Sequence, residues 1–114
     1  MTYAIPSSTL LDNVYAALSH AKRRGIVLTL SFHPATVSQL AAEYDLSLPA
    51  IHKHLRTLEE AGLIRRKKVG RTSFVAISRA SLQEAKGWIS QFHTEWGSDS
   101  ESLENYISNF SSNQ

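Results

Sequence analysis

Leu46-Ser47-Leu48-Pro49-Ala50-Ile51-His52-Lys53-His54-Leu55-Arg56-Thr57-Leu58-Glu59-Glu60-Ala61-Gly62-Leu63-Ile64 is the stretch that decides the fold. Ser47 is a side-chain cap, and Pro49 sits in the first turn, where a missing N–H is harmless. Ile51, Leu55 and Leu58 recur at i, i+4 and i+7, so one stripe of a helix is apolar. Gly62 is a natural C-terminal stop. Leu48, His52, Lys53 and Arg56 lie off the stripe, on faces turned away from the core.

Just upstream, Thr36-Val37-Ser38-Gln39 has the pattern of a capping box, a threonine cap with glutamine three residues on. Leu40, Ala41 and Ala42 carry that helix to about Tyr44, and Asp45-Leu46 makes a tight turn. Two short helices across a tight turn, over about 36–61, predict a helix-turn-helix. Further upstream, Leu10, Leu11, Val14, Tyr15 and Leu18 predict a first helix near 9–19. Ile26, Val27, Leu30 and Phe32 predict a second over 22–32, closed by His33-Pro34. Lys22, Arg23 and Arg24 start that second helix, where positive charge opposes the dipole. They are either plain surface charge or contacts to a polyanion.

Downstream the period changes. Arg65-Arg66-Lys67-Lys68-Val69-Gly70-Arg71, followed by Thr72-Ser73-Phe74-Val75-Ala76-Ile77, predicts a basic hairpin over about 63–78. Ser81-Leu82-Gln83-Glu84 reads as a second capping box. Leu82, Ala85, Ile89, Phe92 and Trp96 then fall on a heptad stripe that resumes at Leu103, Tyr106 and Phe110. This predicts one long helix over about 81–110, or two joined at Gly97-Ser98-Asp99-Ser100.

Composition narrows the function classes. The chain has 114 residues, one domain's worth, and no cysteine. That excludes disulfides, thiolate metal sites and cysteine nucleophiles. No apolar run is long enough for a membrane span, and the start lacks the pattern of a secretory signal, so a cytoplasmic protein is expected. The net charge of +2 is unevenly spread. Residues 22–79 hold eleven of the 12 basic residues against four acids, while residues 87–114 hold four acids and no base. A basic centre of this kind suits a polyanion. No Ser/His/Asp arrangement, Gly-rich phosphate loop or paired carboxylates appears, so an enzyme is not expected.

A helix presenting His52, Lys53 and Arg56 can enter the major groove. His52 offers a donor to a base acceptor, and the hairpin's cations can run along phosphate. The residues 46–64, Ala17-Leu18-Ser19-His20-Ala21-Lys22-Arg23-Arg24 and Gly70-Arg71 together resemble the ArsR-type winged helix-turn-helix repressors over about residues 10–96. The long C-terminal helix resembles that of a metal-independent branch. The resemblance implies a mainly α fold with a small β-hairpin, one winged-helix domain over 1–114, and a homodimer through the terminal helices. Leu10, Val14, Leu18, Ile89, Phe92, Trp96, Leu103 and Tyr106 would form that interface. It also implies repression at an inverted-repeat operator in double-stranded DNA. The DNA-facing positions carry over to Thr36, Ser38, Ser47, Pro49, Ala50, His52, Lys53, His54, Arg56, Lys67, Lys68 and Arg71.

The chain departs from the family where many members bind metal. It has no cysteine near the recognition helix, and the last helix offers only His93 with Glu95 and Asp99 nearby, not an i, i+4 ligand pair. No metal or cofactor is therefore expected. The effector, if the repressor has one, is left open, as is a ligand pocket in place of dimer core at Phe92, Trp96 and Tyr106. His54 is either half-buried beside the core stripe or bonded to a phosphate, with base reading the least favoured of the three. A sensor repressor of the same fold is the first alternative. A winged helix docking an acidic protein partner is the second.

Overall fold

A computed structural model of the chain describes residues 9–92 and 99–112. The order is α1 (Thr9–Leu18), α2 (Ala21–Phe32), β1 (Ala35–Thr36), α3 (Val37–Glu43), α4 (Leu48–Glu60), β2 (Ile64–Val69), β3 (Thr72–Ile77), α5 (Arg79–Ile89) and α6 (Asp99–Ser112). The sheet is antiparallel in the order β1-β3-β2. The result is a winged helix-turn-helix.

The local signals act as their chemistry dictates. The Thr36 hydroxyl accepts from Gln39 N at 3.1 Å while Thr36 N donates to Gln39 Oε1 at 2.9 Å, a complete capping box. Ser47 Oγ accepts from Ala50 N at 3.3 Å, and Pro49 occupies the first turn of α4. Helix α4 ends in a Schellman motif, in which Leu63 N donates to Leu58 O and Gly62 N to Glu59 O, both at 3.0 Å. The motif needs φ of +74° at Gly62, and a Cβ there would meet Ser81 Oγ at 2.5 Å. The same closure ends α3, with Asp45 at φ +52° and Leu46 N donating to Ala41 O at 2.8 Å. Gly70, at φ +62°, takes the first central position of the two-residue hairpin turn.

The core is one cluster. Ile51, Leu55 and Leu58 of α4 are fully enclosed with Ile26 and Leu30 of α2, Leu40 of α3, Leu63 and Val75. Burial of this order, about 1.5–3 kcal/mol per large apolar side chain, is the main force holding α4 at a fixed angle to the rest.

Three expectations change here. Strand β1, two residues long, is not signalled in the sequence; it exists because Ala35 and Thr36 pair with Val75 and Phe74. Helix α5 starts at Arg79 with no side-chain cap from Ser78. Ser81 is therefore not a cap but a buried residue inside the first turns. The C-terminal helix is also interrupted before Gly97: α5 stops at Ile89, and Ser90, Gln91 and Phe92 turn on bonds to Lys86, Trp88 and Ile89. The Ser90 hydroxyl donates to Lys86 O, the carbonyl that Ser90 N also reaches. The long stripe is thus split between α5 and α6. Trp96, His93, Glu95, Gly97 and Ser98 lie outside the described residues.

Candidate nucleic-acid interface

Helix α4 divides its residues by face. The apolar stripe is inside; His52, Lys53, Arg56 and Pro49 are exposed, Ala50 is half-buried, and Leu48 keeps 55% of its surface. Helix α3 presents Ser38 beside this face, and Thr36 stands at its start with its hydroxyl held in the capping box. Ser47 likewise is exposed with its hydroxyl on Ala50 N.

A cleft of about 250 Å³ joins these pieces. Thr36, Val37, Ser38, Leu48, His52, Arg71, Thr72 and Ser73 line it, so α3, the recognition helix and the hairpin turn face one space. Residues 33 positions apart in sequence, Ser38 and Arg71, meet there because β3 pairs with β1, which leads directly into α3. The arrangement can hold a strand of polyanion between a hydroxyl, an imidazole and a guanidinium.

The wing sorts its cations by strand alternation. Val75 is buried, and its cross-strand partner Arg66 shares its face; Lys68 follows on that side. Arg65 and Lys67 project from the opposite face, beside Pro34, Phe74 and Ala76 in a groove of about 400 Å³. Lys67 and Lys68, grouped in the sequence reading, therefore serve two sides of the hairpin. Arg66 turns back to the recognition helix: its Nη2 donates to Glu59 Oε1 at 3.0 Å and its Nη1 to His52 Nδ1 at 3.4 Å.

His54 is two residues from His52 but on another face. Its ring lies 4.6 Å from that of His20, and Arg23 Nη1 donates to its Nδ1 at 3.3 Å. It stands half-buried at the seam between α4 and the start of α2, apart from the exposed His52, Lys53 and Arg56. Burial, then the charges of His20, Arg23, Lys22 and Lys53, hold its pKa below the ordinary imidazole value of 6.5.

The basic start of α2 is engaged inside the fold. Arg23 donates to Ala17 O at 2.7 Å and Ala16 O at 3.3 Å, and Arg24 to Leu18 O at 2.8 Å; Lys22 Nζ donates to Tyr44 O at 2.9 Å. These are carbonyls at the C-terminal ends of α1 and α3, the places where helix dipoles favour cations. Among the terminal-helix residues, Val14 is 0% exposed and packs into its own chain's core, so it has no surface for a second copy, contrary to the sequence reading. Leu10 and Leu18 are partly buried against the same core. Ile89, Phe92, Leu103 and Tyr106 are exposed, Phe92 at 68% and Tyr106 at 66%. Among the described residues, no group of three or more His, Asp or Glu stands where it could hold a metal ion, and no helix is long and apolar enough to cross a membrane.

Residues 18–67 match the model of a helix-turn-helix domain family. The transcriptional repressor SdpR of Bacillus subtilis is 27% identical over 89 residues, covering 78% of this chain and 99% of that protein. Of solved structures, an ArsR family transcriptional regulator is 34% identical with a TM-score of 0.71, over 77% of this chain and 91% of the other. An ArsR-like transcriptional regulator from Rhodococcus sp. RHA1 is 28% identical with a TM-score of 0.73, over 92% and 93%.

Proposed function

The chain belongs to the ArsR family of winged helix-turn-helix transcriptional regulators, and from that premise we propose that it is a dimeric repressor reading an inverted-repeat operator. It is a DNA-binding transcription regulator, of a family whose members are not enzymes. The observation that carries the finer reading is the 250 Å³ cleft, which gathers Ser38, His52 and Arg71 from three separate elements beside the exposed Lys53 and Arg56. A recognition helix lies in the major groove with its outward residues on base edges, while the wing's Lys67, Lys68 and Arg71 meet the flanking backbone. Ser47, Pro49 and Ala50 bring the first turn of α4 near the DNA, and Thr36 positions the start of α3.

Two copies are needed to read two half-sites. Ile89 at the end of α5, Phe92 just beyond it, and Leu103 and Tyr106 on α6 are exposed apolar side chains of the kind that mark an interface. Leu10 and Leu18 on α1, partly buried against the core, are the further candidates for it. The name of SdpR supports repression as the outcome of binding. Such a regulator works in the cytoplasm, beside the DNA it binds.

Selection of bound fragments from a random duplex library tests this reading. The expected product is an inverted repeat with half-sites about one helical turn apart, and affinity falling on the order of a thousandfold between about 50 and 200 mM salt. Retention of no duplex at low salt, or a monomer by light scattering at micromolar concentration, overturns it.

A further inference from the structure

Arg66 sits on the wing, yet its guanidinium forks onto the recognition helix. One arm donates to Glu59 Oε1 at 3.0 Å and the other to His52 Nδ1 at 3.4 Å. Glu59 and His52 are seven residues apart, two turns of α4, so they lie on one side of the helix and a single planar fork can bridge them. The salt bridge to Glu59 is half-exposed, with side-chain exposures of 26% for Arg66 and 42% for Glu59. As a stabilising pair it is weak. Its geometry has a different consequence.

A guanidinium carries donors only. The Nδ1 of His52 must therefore accept, which it does only with its lone pair free. In the neutral ring the proton is then on Nε2, because the bond made by one ring nitrogen fixes the state of the other. We propose that Arg66 is a positioning residue, anchored by Glu59, that holds His52 in the Nε2–H tautomer and so makes the recognition helix present a single donor to the base edge. The proposal rests on the reading of α4 as the helix that enters the major groove.

The tautomer decides which bases fit. An Nε2–H donor needs an acceptor, and guanine offers two in the major groove, N7 and O6, with no donor. Cytosine offers only its N4 amino donor there and is rejected. The opposite tautomer, with Nε2 as acceptor, would reverse that choice. Arg66 thus sets base preference at a position it does not itself touch.

The test uses the full-length protein. First, long-range ¹H–¹⁵N spectra of histidine-labelled protein, without DNA, report the tautomer. Wild-type His52 is expected to show an unprotonated Nδ1 and a protonated Nε2, and R66A an averaged ring. Second, duplex-library selection with H52A identifies the one position per half-site that His52 reads, as the position whose preference is lost. At that position R66A and E59A should each lose about fivefold of the preference for guanine over cytosine, the worth of roughly one hydrogen bond, with preferences elsewhere unchanged. E59Q, which keeps an acceptor for the guanidinium, should retain it, and R66A should add nothing at that position in the H52A background. A wild-type ring protonated on Nδ1, or R66A and E59A proteins that discriminate as wild type does, overturns the proposal. If R66A fails to fold, E59A alone decides the selection arm. If the wild type retains no duplex, the DNA-binding reading fails and the spectra still decide the tautomer.

Discussion

Two basic runs of similar length flank the helix-turn-helix, and the fold uses them in opposite ways. Lys22-Arg23-Arg24 is turned inward: each side chain donates to a carbonyl at the end of a neighbouring helix, Arg23 to two of them and to His54 as well. Arg65-Arg66-Lys67-Lys68 is turned outward except for Arg66, and its cations line the two sides of a hairpin. Positive charge at the start of α2 is unfavourable for α2 itself, and the carbonyls of α1 and α3 offset that cost. A basic cluster is therefore a ligand surface only where no orphan carbonyls stand within its reach. The first run is engaged in the fold, and the second, apart from Arg66, stays exposed on the hairpin, where the proposed function puts it against DNA.

The contrast can be broken most forcefully at the hinge between the two regions. Gly62→Ala puts a Cβ at φ +74° and 2.5 Å from Ser81 Oγ, where the recognition helix passes into the wing. Left-handed strain and overpacking together should cost about 3 kcal/mol, read as a lowered urea midpoint with unchanged slope. Arg23→Ala comes next. It removes charged donors from Ala16 O and Ala17 O and should destabilise by about 2 kcal/mol in the same assay, while the salt dependence of DNA binding keeps its slope. A loss of slope with intact stability would instead make the inner run a DNA contact.

Lys68→Ala should do the reverse. Stability is expected to stay within about 0.5 kcal/mol, and the log–log salt slope to fall by about 1 for each phosphate contact removed. The smallest effect concerns acid. In the unfolded chain His54 takes a proton near 6.5, whereas in the fold burial and the charges of His20, Arg23, Lys22 and Lys53 oppose it. The unfolded state binds the proton first, so the stability due to neutral His54 is present above about pH 6.5 and is lost as pH falls through the folded value. Thermal midpoints taken at about pH 7 and pH 5 should differ less in His54→Gln than in wild type; an equal drop would refute the assignment.

Much of the fold was legible because its signals are local. The capping box at Thr36 and Gln39, the Ser47 cap, Pro49 and the Gly62 stop act within about four residues, the reach of a helical turn. The same kind of local pattern misled at Ser81-Leu82-Gln83-Glu84, where the helix already begins at Arg79 and the Ser81 hydroxyl is buried against Gly62. Heptad spacing across Ile89 and Leu103 fits one helix or two, because periodicity does not register where the backbone leaves the helix, here after Ile89. In the candidate site, His52, Lys53 and Arg56 were readable as cations and donors off an apolar stripe, and Arg71 as a cation of the hairpin. His54 was legible as a residue at the edge of the core, but its neighbours His20 and Arg23 come to it only when α2 docks on α4.

The amino-acid order by itself determined the helix-turn-helix, the turn chemistry of the wing and the basic character of the candidate face, since each depends on neighbours along the chain. Tertiary structure alone decided that Lys22, Arg23 and Arg24 cap other helices, that Val14 belongs to its own chain's core, that β1 completes the sheet, and that Arg66 faces Glu59 and His52. These depend on groups brought together from distant positions by burial of the Ile51, Leu55 and Leu58 stripe, and a side chain's partner is fixed only once the elements carrying both have docked.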